Sequence, residues 1–261
     1  MAVSGKKIVV VMPAYNAAKT LEETYKDIPR EIVDEIILVD DASKDETINV
    51  AKKLGLKVFI HSENLGYGGN QKTCYREALK TGADIVVMLH PDYQYDPKLI
   101  PDIISPIVND EVDLVLASRM KDGSALRGGM PLYKYACNKF LTFVENIVLN
   151  QELSEFHTGY RAYSKALLET IPVGMNSNNF VFDTELIVQT IAFGFKIKEI
   201  ACPTRYLKDS SSVSFKNSVL YGTSTLITLL KYIMFKTGIK NSLFEANTKN
   251  SVSGYPGSWV E

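Results

Sequence analysis

Five short apolar runs recur along the first half of the chain, and the segments between them carry helix signals. The runs lie at residues 8–12, 35–40, 57–60, 84–89 and 113–118. They are rich in Val, Ile and Leu without strict alternation, which is typical of parallel strands buried on both faces. The pattern therefore predicts a doubly wound α/β sheet with helices on both faces.

Capping residues and chain breakers mark the helices between these strands. The predicted starts are Asn16, the pair Ser43 and Glu46 with capping-box spacing, the residue after Gly69, and Asp96 before Pro97. The predicted ends are Ile28 before Pro29, Gly55, and Lys80 with Gly82 after it.

The second half of the chain is less regular. The predicted order is a glycine-rich loop, a helix, a polar loop, an amphipathic helix and a strand, at 123–131, 133–149, 176–179, 183–193 and 198–206. Gly194 is predicted to end the amphipathic helix. From Asn241 onward the chain is rich in Ser, Asn and Gly, which predicts a flexible polar tail.

Composition narrows the class of protein. The 261 residues carry a formal net charge of −1 and are 46% hydrophobic, so no global basic surface indicates a nucleic-acid partner. Cys74, Cys137 and Cys202 are odd in number and widely spaced, which favours a reducing cytoplasm. The N-terminus lacks a charged region followed by a long apolar run, which argues against a signal peptide.

Polar residues follow the ends of three predicted strands: Asp40-Asp41, His90 to Gln94, and Ser118-Arg119. Ligands of such sheets bind beyond the carboxyl ends of the strands. Asp92 is the candidate for holding a Mg²⁺ or Mn²⁺ ion that bridges a diphosphate, and helix capping, its alternative role, is better filled by Asp96. Asp40 and Asp41 either accept hydrogen bonds from a nucleobase or ribose, or form an acidic turn.

Further candidates lie near the same edge of the sheet. Arg119, Arg127 and Lys134 are cationic groups for phosphate, and Arg119 is the best placed because it directly follows a strand. His157 is either a ligand or acid–base group or a structural histidine.

The pair Asp183 and Glu185 opens a helix. Acidic side chains there interact favourably with the helix dipole, and a catalytic role is the alternative.

The ordered set of motifs resembles the family 2 glycosyltransferases with the GT-A fold. The motifs are Met-Pro-Ala-Tyr-Asn at 12–16, Val-Asp-Asp-Ala-Ser-Lys-Asp at 39–45, Asn-Leu-Gly-Tyr-Gly-Gly-Asn at 64–70, the stretch 90–97, Ala-Ser-Arg at 117–119, and His-Thr-Gly-Tyr-Arg-Ala at 157–162. The branch most similar in pattern contains dolichyl-phosphate mannose synthase and other polyprenyl-phosphate sugar transferases. The resemblance covers roughly residues 6–215.

The apolar stretch and the polar composition near the C-terminus predict an amphipathic helix at 216–240 and a flexible tail at 241–261. The resemblance implies a Rossmann-like, mixed but mostly parallel sheet in a catalytic domain at 1–215. It also implies the residues that line the nucleoside pocket of a nucleotide sugar: Pro13, Tyr15, Asp41, Asn64, Gly66 and Gly69.

In the same family, an Asp-x-Asp motif holds a divalent metal. By resemblance, His90, Asp92 and Gln94 stand at this metal site, and Arg119 and Lys134 contact the phosphate of the acceptor. Histidine replaces the first aspartate here, which removes a negative charge and shifts the preference away from Mg²⁺. The open outcomes are a metal with fewer carboxylates, a different metal, little metal dependence, or loss of transfer.

The expected reaction is inverting transfer of a sugar from a UDP- or GDP-sugar to a polyprenyl phosphate or a cell-surface glycan, in cell envelope glycan synthesis. A lipid phosphate oxygen is already ionised and needs no strong base. Asp92, Arg119 and Lys134 are then the catalytic candidates, since they stabilise the leaving diphosphate or hold the acceptor. The alternatives are a nucleotidyltransferase, and a nucleotide-sugar-binding protein that has lost catalysis.

The stretch 218–235 is long and apolar but contains Lys231 and several hydroxyl groups. It therefore predicts a helix that does not span a membrane, either lying on a membrane surface or packed on the catalytic domain. The expected location is the cytoplasm, at the inner face of the cell membrane, with peripheral membrane contact.

Overall fold

A computed structural model of the chain describes residues 5–203, 215–246 and 257–260. Within these ranges one mixed sheet is formed by β1 Ile8–Ala14, β2 Glu35–Asp40, β3 Lys57–His61, β4 Ile85–Met88, β5 Leu114–Ser118, β6 Arg161–Ser164, β7 Ile197–Ala201 and β8 Gly257–Val260. The strand order is β7-β5-β6-β4-β1-β2-β3-β8. Only β6 and β8 run antiparallel to their neighbours in this described sheet, so the predicted mostly parallel α/β fold is confirmed.

Helices cover both faces of the sheet. They are α1 Leu21–Lys26, α2 Thr47–Lys53, α3 Tyr67–Lys80, α4 Ile100–Val108, α5 Leu132–Leu149, α6 Lys165–Thr170, α7 Phe182–Ala192 and α8 Phe215–Lys236. Side chains of β1 alternate between two cores: Val9 and Val11 contribute to the one that includes α3 and α7, and Val10 to the one that includes α4. Because β1 is buried on both faces, its sequence shows no alternation.

The carboxyl ends of β1, β2, β4 and β5 lie at one edge of the sheet, because these strands share one direction. The segments after these strands carry Tyr15, Asp41, Asp92 and Arg119. The sheet therefore gathers the candidate residues at one edge, as the strand-end argument predicted.

Two predicted helix starts are wrong. Asn16 has a φ of 53° and lies in a loop, and α1 begins at Leu21. Its side-chain oxygen accepts a hydrogen bond from Lys44 N at 2.8 Å, while its own backbone N–H donates to Ser43 Oγ at 2.8 Å. Both residues thus tie two loops together instead of capping helices, and α2 begins only at Thr47.

Other boundaries differ by smaller amounts. Helix α3 begins at Tyr67, ahead of the predicted start after Gly69. Asp96 caps as predicted, since its carboxylate accepts from Lys98 N at 3.0 Å and a 3-10 helix Pro97–Leu99 precedes α4. The predicted strand at 198–206 is β7, which ends at Ala201, and residues 204–206 lie outside the described ranges.

The expectation of a flexible tail from Asn241 is wrong for two segments. A 3-10 helix Ser242–Phe244 buries Leu243 and Phe244, and the Phe244 ring lies 4.9 Å from the ring of Phe235. Strand β8 pairs with β3, where the Trp259 ring lies edge-on to Phe59. Burial stabilises Leu243 and Phe244 on the domain, whereas Trp259, which is 44% exposed, is held by its contact with Phe59 and by the pairing of β8 with β3.

Helix α8 packs on α5 and α7. In the described part of the chain, one segment, Ser218–Lys236, has the length and composition of a membrane-crossing helix, with a mean hydropathy of 1.2 and 22% of it buried. A core helix of a soluble protein would pass the same test, so length and composition alone decide nothing about spanning.

Candidate active site

A cavity of about 680 Å³ lies at the carboxyl edge of the sheet, between the end of β4 and helices α5 and α8. Seven of the candidate residues from the sequence line it together: His90, Asp92, Gln94, Arg119, Lys134, His157 and Asp183. The predicted nucleoside residues do not line this cavity and form a separate cluster after β1 and β2. The structure thus separates the candidate residues into two neighbouring sets.

Asp41 organises the loop that carries the second set. Its carboxylate accepts hydrogen bonds from Leu65 N at 2.9 Å and from Gly66 N at 3.0 Å, and it lies 2.8 Å from His61 Nδ1. Asn64 Nδ2 donates to the Asp41 carbonyl at 3.1 Å. Both carboxylate oxygens of Asp41 are therefore engaged in holding the 64–66 loop against the end of β2.

Asp40 is the member of the acidic pair for which the sequence left two roles open, a nucleoside contact or an acidic turn. One of its oxygens accepts from Ser43 N at 2.9 Å, and the other is buried without a hydrogen-bond partner among the described residues. Burial raises the pKa of Asp40. An unpartnered buried carboxylate oxygen carries a desolvation cost that a donor from a ligand would offset.

Two glycines of the second set, Gly66 and Gly69, lie where the chain leaves no room for a Cβ atom. Gly66 has a φ of +85°, and a Cβ there would lie 2.8 Å from the Asn178 carbonyl oxygen, so only glycine fits. A Cβ on Gly69 would lie 2.8 Å from the Cβ of Leu65. Tyr15 is 50% exposed directly after β1, and Pro13 is buried within that strand.

His90 is held by aromatic packing beside the cavity. Its Nε2 lies 3.3 Å from Tyr67 Oη, and the two rings are stacked with centroids 5.5 Å apart. A Cβ on Gly159 would lie 2.8 Å from both Cδ2 and Nε2 of His90, so the ring rests directly on the glycine backbone. Burial lowers the pKa of His90, against the opposing charges of Asp92 and Asp183, which favours a neutral imidazole.

Asp183 also lines the cavity and is linked to His90 through Tyr67. Tyr67 Oη donates to one Asp183 oxygen at 2.7 Å, and Gln71 Nε2 donates to the other at 3.2 Å. Arg161, which is fully buried, lies 3.4 Å from the same carboxylate. The sequence did not decide whether Asp183 interacts with the helix dipole or has a catalytic role. Its contact with Tyr67 could not be predicted, because the two residues are distant in sequence.

The two cations of the cavity differ in their surroundings. Arg119 is paired with the buried Glu155, to which both its backbone N–H and its guanidinium donate, and it also donates to the His157 carbonyl at 2.9 Å. Among the described residues, no carboxylate forms an ion pair with Lys134 or raises its pKa. Burial, followed by the charge of Arg119, lowers the pKa of Lys134. An anion that enters the cavity therefore meets Lys134 as a donor still available for pairing.

His157 lines the cavity and belongs to a polar chain that joins α8 to α5. Its Nδ1 lies 2.7 Å from Tyr221 Oη on α8, and its Nε2 lies 3.0 Å from Glu145 on α5. Arg127 is exposed and lies outside the cavity lining. Glu185 accepts a hydrogen bond from Ser177 N at 2.6 Å and is likewise not part of the lining.

The donor set at Asp92 limits how a divalent cation could be held. One Asp92 oxygen accepts from Gln94 N at 3.1 Å, and the His90 Nε2 faces Tyr67. No group of three or more His, Cys, Asp or Glu side chains in the described part of the chain could hold a metal ion. Mg²⁺ is commonly bound by one or two carboxylates plus substrate phosphates. The residues fit a cation shared between Asp92 and a bound diphosphate, and they do not form a metal site of protein ligands alone.

Comparison with sequence families gives one clear match. The model of the family described as glycosyl transferase family 2 matches residues 9–171, which is most of the chain and includes β1 to β6. Individual sequence relatives match a larger share of the chain than the family model does. An uncharacterized protein of Methanocaldococcus jannaschii is 31% identical over 229 residues, covering 88% of this chain and 93% of that protein.

A relative with a named activity and a solved structure complete the comparison. The UDP-N-acetylglucosamine–dolichyl-phosphate N-acetylglucosaminyltransferase of Methanococcus voltae is 29% identical over 248 residues, covering 88% of this chain and 98% of the relative. The structure of glucosyl-3-phosphoglycerate synthase from Mycobacterium tuberculosis with Mn²⁺, UDP and phosphoglyceric acid is similar with a TM-score of 0.69. It is 21% identical, and the match covers 92% of this chain and 81% of that one, which establishes the fold.

Proposed function

The chain belongs to glycosyl transferase family 2, and from this premise we propose that it transfers a sugar from a UDP-sugar to a polyprenyl phosphate, with inversion at C1. The observation that carries the proposal is the cavity itself. It places Asp92 beside Arg119 and Lys134 and opens between two helices with apolar faces. A site of this form suits an acceptor with an anionic head and an apolar tail. The alternatives are a GDP-sugar donor and a cell-surface glycan acceptor.

The donor pocket is proposed at the second set of residues, after β1 and β2. Tyr15 is exposed there, Asp41 holds the 64–66 loop, and Asp40 keeps an oxygen without a partner in the described structure. Of the two roles left open for Asp40, we assign that of acceptor for a nucleobase N–H, beside the six residues that the resemblance implies. The Methanococcus voltae relative is named for a UDP-sugar donor, which favours UDP over GDP.

The chemistry needs few protein groups. An ionised phosphate oxygen of the acceptor attacks C1 of the sugar, the bond from C1 to the diphosphate oxygen breaks, and UDP leaves with the electron pair. Lys134 holds the acceptor phosphate near C1, and Arg119, fixed by Glu155, provides a second positive group. A Mg²⁺ or Mn²⁺ ion bound with the donor at Asp92 would neutralise charge on the leaving diphosphate.

Asp183 is proposed to hold the site in shape. Its two oxygens accept hydrogen bonds from Tyr67 and Gln71, so Asp183 fixes Tyr67, and Tyr67 fixes the ring of His90. Because the acceptor phosphate is already ionised, the reaction requires no proton transfer to this carboxylate.

The proposed function is tested with purified protein, a panel of UDP- and GDP-sugars, Mn²⁺ or Mg²⁺, and a short-chain polyprenyl phosphate. We expect a glycolipid phosphate and stoichiometric UDP. Release of pyrophosphate from a nucleoside triphosphate would identify a nucleotidyltransferase instead. Binding of nucleotide sugars without turnover, for every acceptor including glycans, would contradict transferase activity.

Substitution of Gly159 tests the placement of His90. Gly159→Ala adds a Cβ 2.8 Å from two atoms of the His90 ring, which must move. We expect kcat/KM for the donor to fall by about tenfold to a hundredfold, because small displacements of site residues are costly. The matched control is Gly174→Ala, where a Cβ has no neighbour within 4 Å and transfer should be unchanged. Equal kinetics for the two variants would contradict a role for His90 in the site.

Substitution of Lys134 tests the acceptor subsite. Lys134→Ala is expected to raise KM for a short-chain acceptor by about tenfold, because a charge-assisted contact of roughly 1.5 kcal/mol or more is lost, while the donor KM stays constant. Lys139→Ala is the matched control, since Lys139 lies on the same helix outside the cavity lining. An unchanged acceptor KM, or a raised donor KM, would count against this assignment.

The pKa of Lys134 adds a pH dependence. Burial lowers this pKa, so the ammonium group loses its proton at a lower pH than an exposed lysine. Acceptor binding should therefore be complete at neutral pH and weaken as the pH rises, starting below the ordinary lysine value of about 10.4.

The acceptor class also bears on location. The proposal places the protein in the cytoplasm at the inner face of the cell membrane, with α8 in peripheral contact with lipid. The relative that acts on dolichyl phosphate supports this location, since such acceptors lie in membranes.

A further inference from the structure

Helix α5 exposes a stripe of apolar side chains along its outer face. Tyr133, Phe140, Phe143 and Ile147 recur at helical spacing, and their exposed fractions run from 45% to 65%. Phe140 and Phe143 alone are 61% and 63% exposed. Large apolar residues clustered on one helix face indicate a surface that is covered by a partner.

Helix α8, which packs directly on α5, exposes a second stripe. The exposed fractions run from 40% to 60% for the residues Val219, Leu220, Leu226, Ile227, Leu230, Ile233 and Met234. The buried side of the same helix carries Leu229 and Tyr232. Because α8 is already anchored by this inner face, its outer stripe is not required for packing on the catalytic domain.

The two helices carry no exposed carboxylate among the side chains that the structure describes. The acidic residue of α5 is Glu145, which is fully buried, and α8 contains neither Asp nor Glu. Exposed Lys139 lies on α5, Lys236 ends α8 and Lys240 follows it. This combination of apolar stripes with lysines and without exposed acids is complementary to an anionic lipid surface and not to a basic partner.

The cavity opens between these stripes. Phe140 on α5 and Val219 and Leu226 on α8 are exposed and also line the cavity that contains Asp92 and Lys134. A surface that covers the stripes would therefore meet the mouth of the acceptor site.

We propose that the exposed faces of α5 and α8 together form a platform that docks on an anionic lipid bilayer, so that the acceptor enters the cavity from the plane of the membrane. The inference rests on the proposed lipid-phosphate acceptor and adds the second helix, the charge of the membrane and the route of entry. The platform lies in the interface: the stripes contact acyl chains and the lysines contact head groups. Neither helix crosses the bilayer.

Flotation with vesicles tests the docking without any substrate. The full chain is mixed with vesicles of phosphatidylcholine alone or of equal parts phosphatidylcholine and phosphatidylglycerol. We expect flotation with the anionic vesicles, and release by alkaline carbonate. The double variant Ile227→Glu with Leu230→Glu should lower the fraction of protein bound to anionic vesicles by about tenfold or more, since it places negative charges among the acyl chains of the lipid. Neither residue lines the cavity.

Met175→Glu is the matched control, because Met175 is 56% exposed, as Ile227 and Leu230 are at 54% and 55%, and lies outside both helices. It should float like the unaltered chain. Equal flotation of the double variant, equal binding to neutral and anionic vesicles, or resistance to carbonate would each overturn the proposal. A dimer in solution that the double variant converts to monomer, without vesicle binding, would assign the stripes to a second copy and also overturn it.

Activity separates this inference from the proposed function. With a short-chain acceptor in solution, the double variant should retain kcat and KM, because the cavity is unchanged. With a long-chain polyprenyl phosphate in anionic vesicles, its rate should fall by about tenfold, in parallel with binding. Equal rates with vesicles would contradict membrane docking while leaving transfer intact, and loss of both activities would point to damage of the site instead.

Discussion

Replacement of Asp92 by asparagine is expected to lower kcat for sugar transfer by about a hundredfold to a thousandfold, the range for losing one electrostatic group that acts on developing charge. Asp92 is the carboxylate after β4 that lines the cavity, while burial lowers the pKa of the neighbouring His90, whose Nε2 faces Tyr67. No second carboxylate in the 90–94 stretch can replace it. The measurement is steady-state release of UDP at several Mn²⁺ concentrations.

The control for Asp92→Asn is Asp96→Asn in the same loop. Asp96 caps the helix that starts at Pro97, and asparagine caps nearly as well as aspartate, so both stability and kcat should be retained. If Asp92→Asn retained kcat within about threefold, a divalent ion held at Asp92 would not contribute to the leaving of the diphosphate. If His90→Asp, introduced into the Asp92→Asn variant, restored Mn²⁺-dependent transfer, position 90 would be shown to ligate a metal once it carries a carboxylate.

Replacement of Arg161 by methionine is expected to have the largest effect on stability. Arg161 is fully buried and donates to the carbonyls of Thr158 at 2.7 Å, Asp183 at 3.2 Å and Phe156 at 3.1 Å. Its guanidinium also lies 3.4 Å from the Asp183 carboxylate. Arg161→Met leaves these acceptors and a buried charge without their partner, so the free energy of unfolding should fall by about 3–5 kcal/mol. Urea denaturation followed by circular dichroism measures it.

The matched control removes an ion pair on the surface. Lys198 and Glu111 lie 2.9 Å apart with side chains that are each 48% exposed. Lys198→Met should therefore leave the midpoint of urea denaturation nearly unchanged, because solvent screens such pairs. An equally small shift of the midpoint for Arg161→Met would show that the buried network is dispensable for folding.

Together, the buried contacts explain how the site tolerates histidine at position 90. The ring is positioned by Tyr67, the hydroxyl of Tyr67 by Asp183, and Asp183 by Gln71 and Arg161. Where the resemblance implies a metal motif, histidine is thus accompanied by a packed aromatic and polar arrangement. On the proposed function, Asp92, the two cations of the cavity and the bound diphosphate would supply the electrostatics of the site.

Sequence patterns anticipated the sheet and the edge at which the site lies, and they failed at the local loops. Ser43 and Glu46 had the spacing of a capping box, but Ser43 accepts a hydrogen bond from Asn16 instead. The tail from Asn241 looked disordered by composition, yet Leu243 and Phe244 are buried. In each case a contact distant in sequence competed with the local signal and was favoured.

The sequence by itself determined the order of β1 to β5 and of the helices between them, because burial on both faces leaves continuous apolar runs in these strands, whereas β6 and β8 were not predicted. It also determined that Asp92 and Arg119 lie at the same edge of the sheet, since parallel strands end at one edge. Only the tertiary structure decided that Asp183 reaches Tyr67 across 116 positions, and that α5 and α8 line the cavity at the carboxyl edge of the sheet. Those contacts depend on how helices pack across the sheet, and helical periodicity encodes which face is apolar but not which partner covers it.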